Sequence, residues 1–139
     1  MARPLEHLAS TAGRYEMLAA SLKHHAVMCD FPNIKMGLEW LAATETLQAN
    51  QLRKILADHR TWPRMAETPL YEGASNWERL NADLSLLADI CRSLNLLAVE
   101  WESLEPELAA QLRALAGTES DNLAMLRDLT LKCDPQALD

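Results

Sequence analysis

Two stretches of the chain share the same pattern of apolar and polar positions. Read at alternating spacings of four and three, the first is Ile34, Leu38, Leu41, Glu45, Gln48, Leu52, Ile55 and His59. The second is Leu108, Leu112, Leu115, Glu119, Asn122, Leu126, Leu129 and Cys133. This spacing keeps all members of a stretch on one helical face. Each stretch therefore predicts a buried helical seam with a carboxylate and an amide at its centre.

Chain-breaking residues divide the sequence into four helical segments. Asp30 to Asn33 interrupts the first apolar pattern, residues 62–73 contain two prolines and a glycine, and Pro106 opens the last pattern. The predicted helices cover about residues 4–29, 33–60, 75–103 and 106–132. The predicted seam of the first helix is Leu8, Ala12, Tyr15, Ala19, Leu22, Ala26 and Cys29. The predicted seam of the third helix is Leu80, Leu84, Leu87, Cys91, Leu94, Ala98 and Trp101.

The two halves of the chain, about 1–70 and 71–139, are similar to each other. A shift of 72 residues lays the first helix on the third, and a shift of 74 lays the second on the fourth. We interpret the chain as a duplicated helical hairpin, with hairpins at about 1–60 and 74–133. The predicted fold is an all-α four-helix bundle, folded as a single domain over residues 1–139.

The connection between the hairpins decides the topology of the bundle. Its thirteen residues, 61–73, extend to at most about 43 Å, whereas a seam is about 37 Å long. A connection of this length is long for neighbouring helices. We therefore predict a crossover along the bundle, which makes the second and third helices parallel as in ferritin-like bundles. The alternative is a compact loop with up-down-up-down packing.

Composition narrows the class of partner and the compartment. The net charge of -7 argues against binding to nucleic acid or to an anionic membrane. No apolar run approaches the roughly 20 residues that span a bilayer, and the first ten residues lack the apolar stretch of a signal peptide. We expect a cytoplasmic protein. Its three cysteines are an odd number without close spacing, so we expect reduced thiols.

Several segments resemble the rubrerythrin branch of the ferritin-like superfamily. The first hairpin carries the corner Phe31-Pro32-Asn33, followed by AATETLQA at residues 42–49. The segment PELAAQLRALAGTESDNLAML, at residues 106–126, is similar to the fourth helix of that family. The resemblance covers about residues 11–130. It implies a ferritin-like fold and a di-iron site built from two Glu residues and two Glu-x-x-His pairs.

Only part of that ligand set is present. Glu45 and Glu119 match the carboxylates of the two pairs, but the histidine positions hold Gln48 and Asn122. The first helix has Arg14 where the family's Ala-Gly-Glu motif ends, and the third-helix ligand position falls near Leu84 or Ser85. Four of the six implied ligands are therefore absent. We expect a lost metal centre, with no cofactor and a remaining buried polar cluster of Tyr15, Glu45, Gln48, Glu119 and Asn122.

This polar cluster can be satisfied without metal. We expect Gln48 to donate to Glu119, Asn122 to donate to Glu45, and Tyr15 to supply a hydroxyl. Two facing carboxylates can share a proton, so we predict that at least one is neutral at pH 7. The alternative is a carboxylate-rich iron or manganese site, in which Glu16 swings inward to join both glutamates.

Other residues with possible chemistry are scattered. His25 and Cys29, like His24 and Met28, have a helical spacing that can hold zinc or a soft metal. A histidine near a helix end also interacts favourably with the helix dipole, and we favour that structural interpretation. In a duplicated fold, His59 and Cys133 are expected at equivalent ends of the bundle and can approach each other. The sequence contains neither a catalytic-triad pattern nor a Gly-rich phosphate loop.

A second apolar stripe, formed by Met36, Trp40, Ala43 and Leu47, predicts an interface. We expect a homodimer through the first hairpin; the alternative is that the four tryptophans cap the bundle ends. The function that we favour is a non-catalytic bundle acting through dimerisation, or as an accessory or scaffold for a protein partner. The alternatives are a metal-binding oxidoreductase or peroxidase, and a carrier of a small ligand in the mid-bundle polar pocket.

Overall fold

Four long helices form the protein. The structure, a computed structural model, describes residues 2–65 and 71–134. Helix α1 spans Ala2–Met28, α2 spans Pro32–Asp58, α3 spans Asn76–Trp101 and α4 spans Pro106–Lys132. The described residues contain no β-strand. The predicted all-α four-helix bundle is confirmed, and the predicted helix ends differ from these by two residues or fewer. None of the described helices is long and apolar enough to cross a membrane.

Local sequence explains where three of the helices start. Pro32 and Pro106 open α2 and α4, because a proline in the first turn loses no helical hydrogen bond. Ser75 caps α3, and its hydroxyl accepts a hydrogen bond from the Glu78 amide at 3.2 Å. The Glu78 carboxylate in turn accepts from the Ala74 amide at 2.9 Å. This reciprocal arrangement is close to a capping box and fixes the direction in which α3 leaves the connection.

The helices pack as two antiparallel hairpins, α1–α2 and α3–α4, with α1 also beside α3 and α2 beside α4. Helix α1 runs antiparallel to α3, because His7 contacts Glu100 at one end and Ser21 contacts Asp83 nearer the other. Helix α2 runs antiparallel to α4, with His59 against Glu105 at the end of α2. Helices α2 and α3 therefore lie on a diagonal and run parallel to each other.

The two described ends of the connection between α2 and α3 lie against opposite ends of α1. The Arg64 amide donates to the Ala9 carbonyl at 2.9 Å, near the start of α1. The Tyr71 carbonyl instead contacts the His25 ring near the end of α1. The predicted crossover is thus confirmed, and the compact up-down-up-down alternative is wrong. A bundle with one long crossover is the topology found in ferritin-like folds.

Three of the four predicted seams form the core, and the fourth is rotated. All predicted seam residues of α1, α2 and α4 are buried, except that His59 and Cys133 at the helix ends are half-buried. In α3, Leu84 and Cys91 are only half-buried. The buried positions of α3 are Arg79, Leu80, Asp83, Leu87, Ile90, Ser93, Leu94, Leu97, Ala98 and Trp101. The α3 seam therefore follows a three-four spacing from Leu80, which brings Asp83 into the bundle.

Gly13 marks the closest approach of the crossover to α1. A Cβ atom at this position would overlap the carbonyl oxygen of Arg64. The residue after Ala12 is thus glycine because a backbone segment lies against it. In contrast, a Cβ at Gly117 on the exposed face of α4 would meet nothing within 4 Å.

Substituting these two glycines with alanine should have opposite effects. Gly13→Ala forces the Arg64 backbone to move and should lower the free energy of unfolding by about 1–3 kcal/mol. Gly117→Ala, the matched control, should raise it by roughly 0.5–1 kcal/mol, because alanine favours helix over glycine. Urea denaturation followed by circular dichroism measures both. A Gly13→Ala protein as stable as the wild type would contradict the described path of the crossover.

Candidate functional site

The centre of the bundle holds a polar cluster to which every helix contributes. Tyr15, Glu45 and Glu119 are completely buried, and Asn122 is 3% exposed. Cys91 of α3 lies close enough to both glutamates for their charges to raise the pKa of its thiol. The predicted burial of both acidic side chains in the dry interior is therefore confirmed.

One amide joins the two carboxylates. Asn122 Nδ2 donates to Glu45 Oε1 at 2.7 Å and to Glu119 Oε1 at 3.2 Å. The predicted bond from Asn122 to Glu45 is confirmed. The described residues show no bond from Gln48 to Glu119, and Gln48 Oε1 is buried without a partner. Asn122 alone therefore donates to both carboxylates, a task that we expected Gln48 and Asn122 to share.

Burial dominates the ionisation of the cluster. Desolvation, together with the neighbouring Glu45 carboxyl, raises the pKa of Glu119 to about 10, although Asn122 opposes the shift. The expected hydrogen bond from the Tyr15 hydroxyl is not observed, because this oxygen is buried without a hydrogen-bond partner among the described residues. Desolvation also raises the pKa of Glu45, and contacts with Glu119 and Asn122 oppose it. The pair therefore keeps at least one proton at pH 7, on Glu119. This agrees with the predicted neutral carboxyl.

The remaining protons of the cluster are also retained. Burial, followed by the charges of the two glutamates, raises the pKa of the Tyr15 hydroxyl far above its ordinary value. The same causes raise the pKa of the Cys91 thiol to about 11. Tyr15 and Cys91 are therefore protonated at neutral pH, while Glu45 Oε1 accepts a hydrogen bond from Asn122 and Glu45 Oε2 has no hydrogen-bond partner among the described residues.

The cluster does not fit a metal ion. The Asn122 amide hydrogens point at both carboxylates, where a cation bridging them would have to bind. Glu16 lies away from the centre, with its side chain 25% exposed and ion-paired with Arg53. Within residues 2–65 and 71–134, no group of three or more His, Cys, Asp or Glu side chains is arranged to hold a metal. The inward swing of Glu16 that the alternative metal site requires is not observed.

A second buried polar cluster lies near the C-terminal end of α1, and the sequence did not predict it. Ser21 Oγ donates to Asp83 Oδ1 at 2.5 Å, and His25 Nδ1 donates to Asp83 Oδ2 at 2.6 Å. His25 Nε2 donates to the carbonyl of Tyr71. His25 is completely buried and Asp83 is 1% exposed. Because both ring nitrogens face acceptors, this histidine is doubly protonated.

The electrostatics of His25 agree with this assignment. Burial alone would lower its pKa, but the hydrogen bond to Asp83, the charge of Asp83 and the Tyr71 carbonyl together raise it; Arg79 opposes them. The result is a buried ion pair that attaches the crossover to α1 and α3. Ser21 donates to the carboxylate and not to His25, so nothing activates it as a nucleophile.

The other residue pairs that the sequence suggested as metal ligands make separate contacts in the structure. His25 uses both ring nitrogens, and the Cys29 thiol donates weakly to the Phe31 carbonyl at 3.7 Å, so these residues form no metal site. His24 Nε2 lies 3.7 Å from the Glu72 carboxylate. The approach of His59 to Cys133 that a duplicated fold allows does not occur, because α2 and α4 are antiparallel and their C-terminal ends lie at opposite ends of the bundle.

At the C-terminal end of α2, a different set of contacts holds His59. Its Nε2 lies 2.8 Å from Glu105 Oε2, its Nδ1 lies 2.9 Å from the Ile55 carbonyl, and its ring packs edge-on against Trp101. The contact with the Ile55 carbonyl raises the pKa of His59, burial lowers it, and Glu105 raises it further, for a net increase. The three cysteines are free thiols, as predicted.

Comparison with known proteins leaves the family open. No known family profile matches this chain, and no curated protein sequence is significantly similar to it. The resemblance to the rubrerythrin branch therefore stays a hypothesis that rests on the motifs of the sequence. The functional argument has to come from the geometry of the sites themselves.

Replacing Glu119 with glutamine should change the pH dependence of stability. The native wild type keeps a proton that an unfolded glutamate releases near pH 4.3, so its stability should fall as pH rises, by about 1.4 kcal/mol per unit for one proton. Glu119→Gln mimics the neutral acid and should remove this slope. His25 also has a raised pKa, so its contribution is full below about pH 6.5 and lost above its folded pKa. The difference between the free energies of unfolding of wild type and Glu119→Gln cancels the contribution of His25.

The measurement is urea denaturation of wild type and Glu119→Gln between pH 5.5 and 8. Asp121→Asn is the matched control, because Asp121 is an exposed acid on the same helix. It should leave the slope unchanged. Glu45→Gln tests the partner carboxyl. Equal slopes in wild type and Glu119→Gln, or losses of several kcal/mol at pH 7 in both glutamine variants, would exclude a shared proton.

Proposed function

We propose that this protein is a non-catalytic helical bundle that acts by self-association, as a dimeric scaffold or as an accessory to another protein. The observation that carries the proposal is the exposed apolar stripe of α2. Its large members are Met36, Trp40 and Leu47, which are 69%, 54% and 71% exposed. A contiguous exposed apolar surface of this kind is typical of a protein–protein interface, and tryptophan is a frequent anchor there.

The stripe is self-complementary in an antiparallel arrangement. Consider a two-fold axis crossing α2 midway between Trp40 and Ala43. Trp40 of one copy then faces Ala43 of the other, and Met36 faces Leu47. Large residues face small ones at the centre, so the two helices can approach closely and interdigitate. The contact would extend over about 16 Å of helix at 1.5 Å per residue.

The other tryptophans are distributed differently. Trp101 is completely buried against His59 at one end of the core, and Trp62 and Trp77 lie in or next to the connection, 73% and 38% exposed. The idea that the rings cap the bundle ends thus describes these positions. It does not describe Trp40, which lies in the middle of the stripe on α2. The dimer proposal therefore rests on Trp40.

The central cluster favours a non-catalytic protein. Its two carboxylates are completely buried and bridged by Asn122, so they face no substrate. Four surface clefts in the described part of the chain are lined by neither Glu45 nor Glu119. A carrier using a mid-bundle pocket and an oxidoreductase using a mid-bundle metal are both less consistent with these contacts than a scaffold is.

We further propose that the bundle descends from a ferritin-like protein whose metal centre was lost. The long crossover and the matched positions of Glu45 and Glu119 on α2 and α4 support this origin. In this view, Asn122 took over the role of a cation in joining the two carboxylates. The three free thiols support a reducing compartment, and we propose the cytoplasm.

Self-association should be measurable by sedimentation at about 10 µM protein, with the wild type as a dimer. Ala43→Arg places a charge at the centre of the stripe, and Trp40→Ala removes its largest ring. Each should weaken dimerisation by roughly 30-fold or more, equivalent to about 2 kcal/mol. Trp62→Ala is the control, because Trp62 is an exposed ring outside the stripe.

The register of the dimer is tested by mixing two variants with one introduced cysteine each, Met36→Cys and Leu47→Cys, in a background where the three native cysteines are replaced by alanine. Oxidation should link the two variants to each other faster than it links either to itself. A wild type that stays monomeric at 100 µM, or a dimer indifferent to Ala43→Arg, would refute self-association through α2.

A further inference from the structure

A cleft opens at the end of the bundle where α1 and α4 finish and α3 begins. Its volume is about 510 Å³, within the range of small-molecule sites. The side chains that give it its chemistry are Phe31, Ile34, Trp77, Arg79, Lys132 and Cys133. It lies at the start of α2 and does not include the Met36 to Leu47 stripe. An inference about this cleft is therefore independent of the proposed dimer.

One side of the cleft is apolar. Phe31 is 60% exposed and Trp77 is 38% exposed, so two aromatic rings border the opening. Ile34 and Cys133 continue this surface toward the core, where Ile34 is 8% exposed. Aromatic and aliphatic walls of this kind suit the apolar body of a small ligand.

The other side carries positive charge that the fold holds in place. Arg79 is only 8% exposed. Its Nη1 donates to the Glu72 carbonyl at 3.1 Å and its Nη2 donates to Asn76 Oδ1 at 2.7 Å. Its Nε is buried without a hydrogen-bond partner. A buried donor without a partner is costly, and a guanidinium fixed in this way is suited to a carboxylate.

Further features of the cleft favour an anion. Lys132 lines it, with its ammonium 3.1 Å from Asp128 on the exposed side of α4. The N-terminus of α3, capped by Ser75, also borders it, and the helix dipole is positive there. The described residues that line it include no Asp or Glu, although the chain has a net charge of -7. A second cleft, at the opposite end, is instead lined by Asp58, Glu105 and Glu107.

We propose that this cleft binds a small amphipathic carboxylate, with the carboxylate on Arg79 and the apolar body against Phe31 and Trp77. Medium-chain fatty acids and arylalkanoic acids share this chemistry. Lys132 adds a second, more exposed charge near the head group. The thiol of Cys133 lines the same space and reports on its occupancy.

The test uses the full-length protein with decanoate and 4-phenylbutyrate as probes. Binding is followed by the change in tryptophan fluorescence and by calorimetry, at concentrations below micelle formation. Saturating probe should slow alkylation of Cys133 at least tenfold. Decanol and decylammonium, which lack the carboxylate, should bind at least tenfold more weakly than decanoate. The ratio of affinities for the two carboxylates identifies whether the preferred body is aliphatic or aromatic, and binding of either supports the assignment.

Variants separate the charge from the apolar surface. Arg79→Gln should weaken decanoate binding at least tenfold, Lys132→Gln about threefold and Trp77→Ala at least fivefold. Arg92→Gln, an exposed arginine on the same helix, should have no effect. Because Arg79 also holds the connection, its variant is checked by circular dichroism; if it does not fold, Lys132→Gln and Trp77→Ala decide. No binding up to 5 mM, equal binding of decanol, or unchanged affinity in folded variants would overturn the proposal.

Discussion

The rest of the bundle depends on the placement of two carboxylates in an otherwise apolar core. A buried charge is costly, and two facing negative charges would be more so. The cost is limited because Glu119 keeps its proton and Asn122 donates to both acids. At most one negative charge then remains on the pair, and Glu45 Oε1 is hydrogen-bonded. Since Glu45 belongs to α2 and both Glu119 and Asn122 belong to α4, this contact also fixes the register between the two hairpins.

The buried ion pair of His25 and Asp83 has a similar role at one end of the bundle. It joins α1 to α3 and, through the Tyr71 carbonyl, holds the connection against them. The Arg64 amide and Gly13 hold the earlier part of the same connection against the start of α1. Polar contacts thus determine the topology of the bundle, because they decide which helices lie on a diagonal. Leucine packing supplies most of the buried apolar surface. Leucine seams alone are compatible with either topology.

The sequence predicted the helices, the crossover and the burial of Glu45 and Glu119, because period, chain-breaking residues and length determine these features locally. It did not predict the contact between His25 and Asp83. A four-three reading of α3 placed Leu84 and Cys91 in the core, whereas the three-four reading contains Asp83. The two readings of α3 are almost equally apolar, and only the contact of Asp83 with His25 on α1 selects between them. Gln48 shows the same limit: its burial followed from spacing, but its lack of a bond to Glu119 depended on Asn122 of α4 donating to both glutamates.

The buried acid pair holds at least one proton at neutral pH, and this protonation lowers the cost of keeping both acids in an apolar core. Carbon-13 NMR of the glutamate carboxyl groups, with each resonance assigned by substitution, tests this most directly. The account predicts that the Glu119 carboxyl carbon keeps the chemical shift of a protonated acid from pH 5 to pH 8. A Glu119 resonance that titrates near pH 4.3, as an ordinary glutamate does, would contradict it.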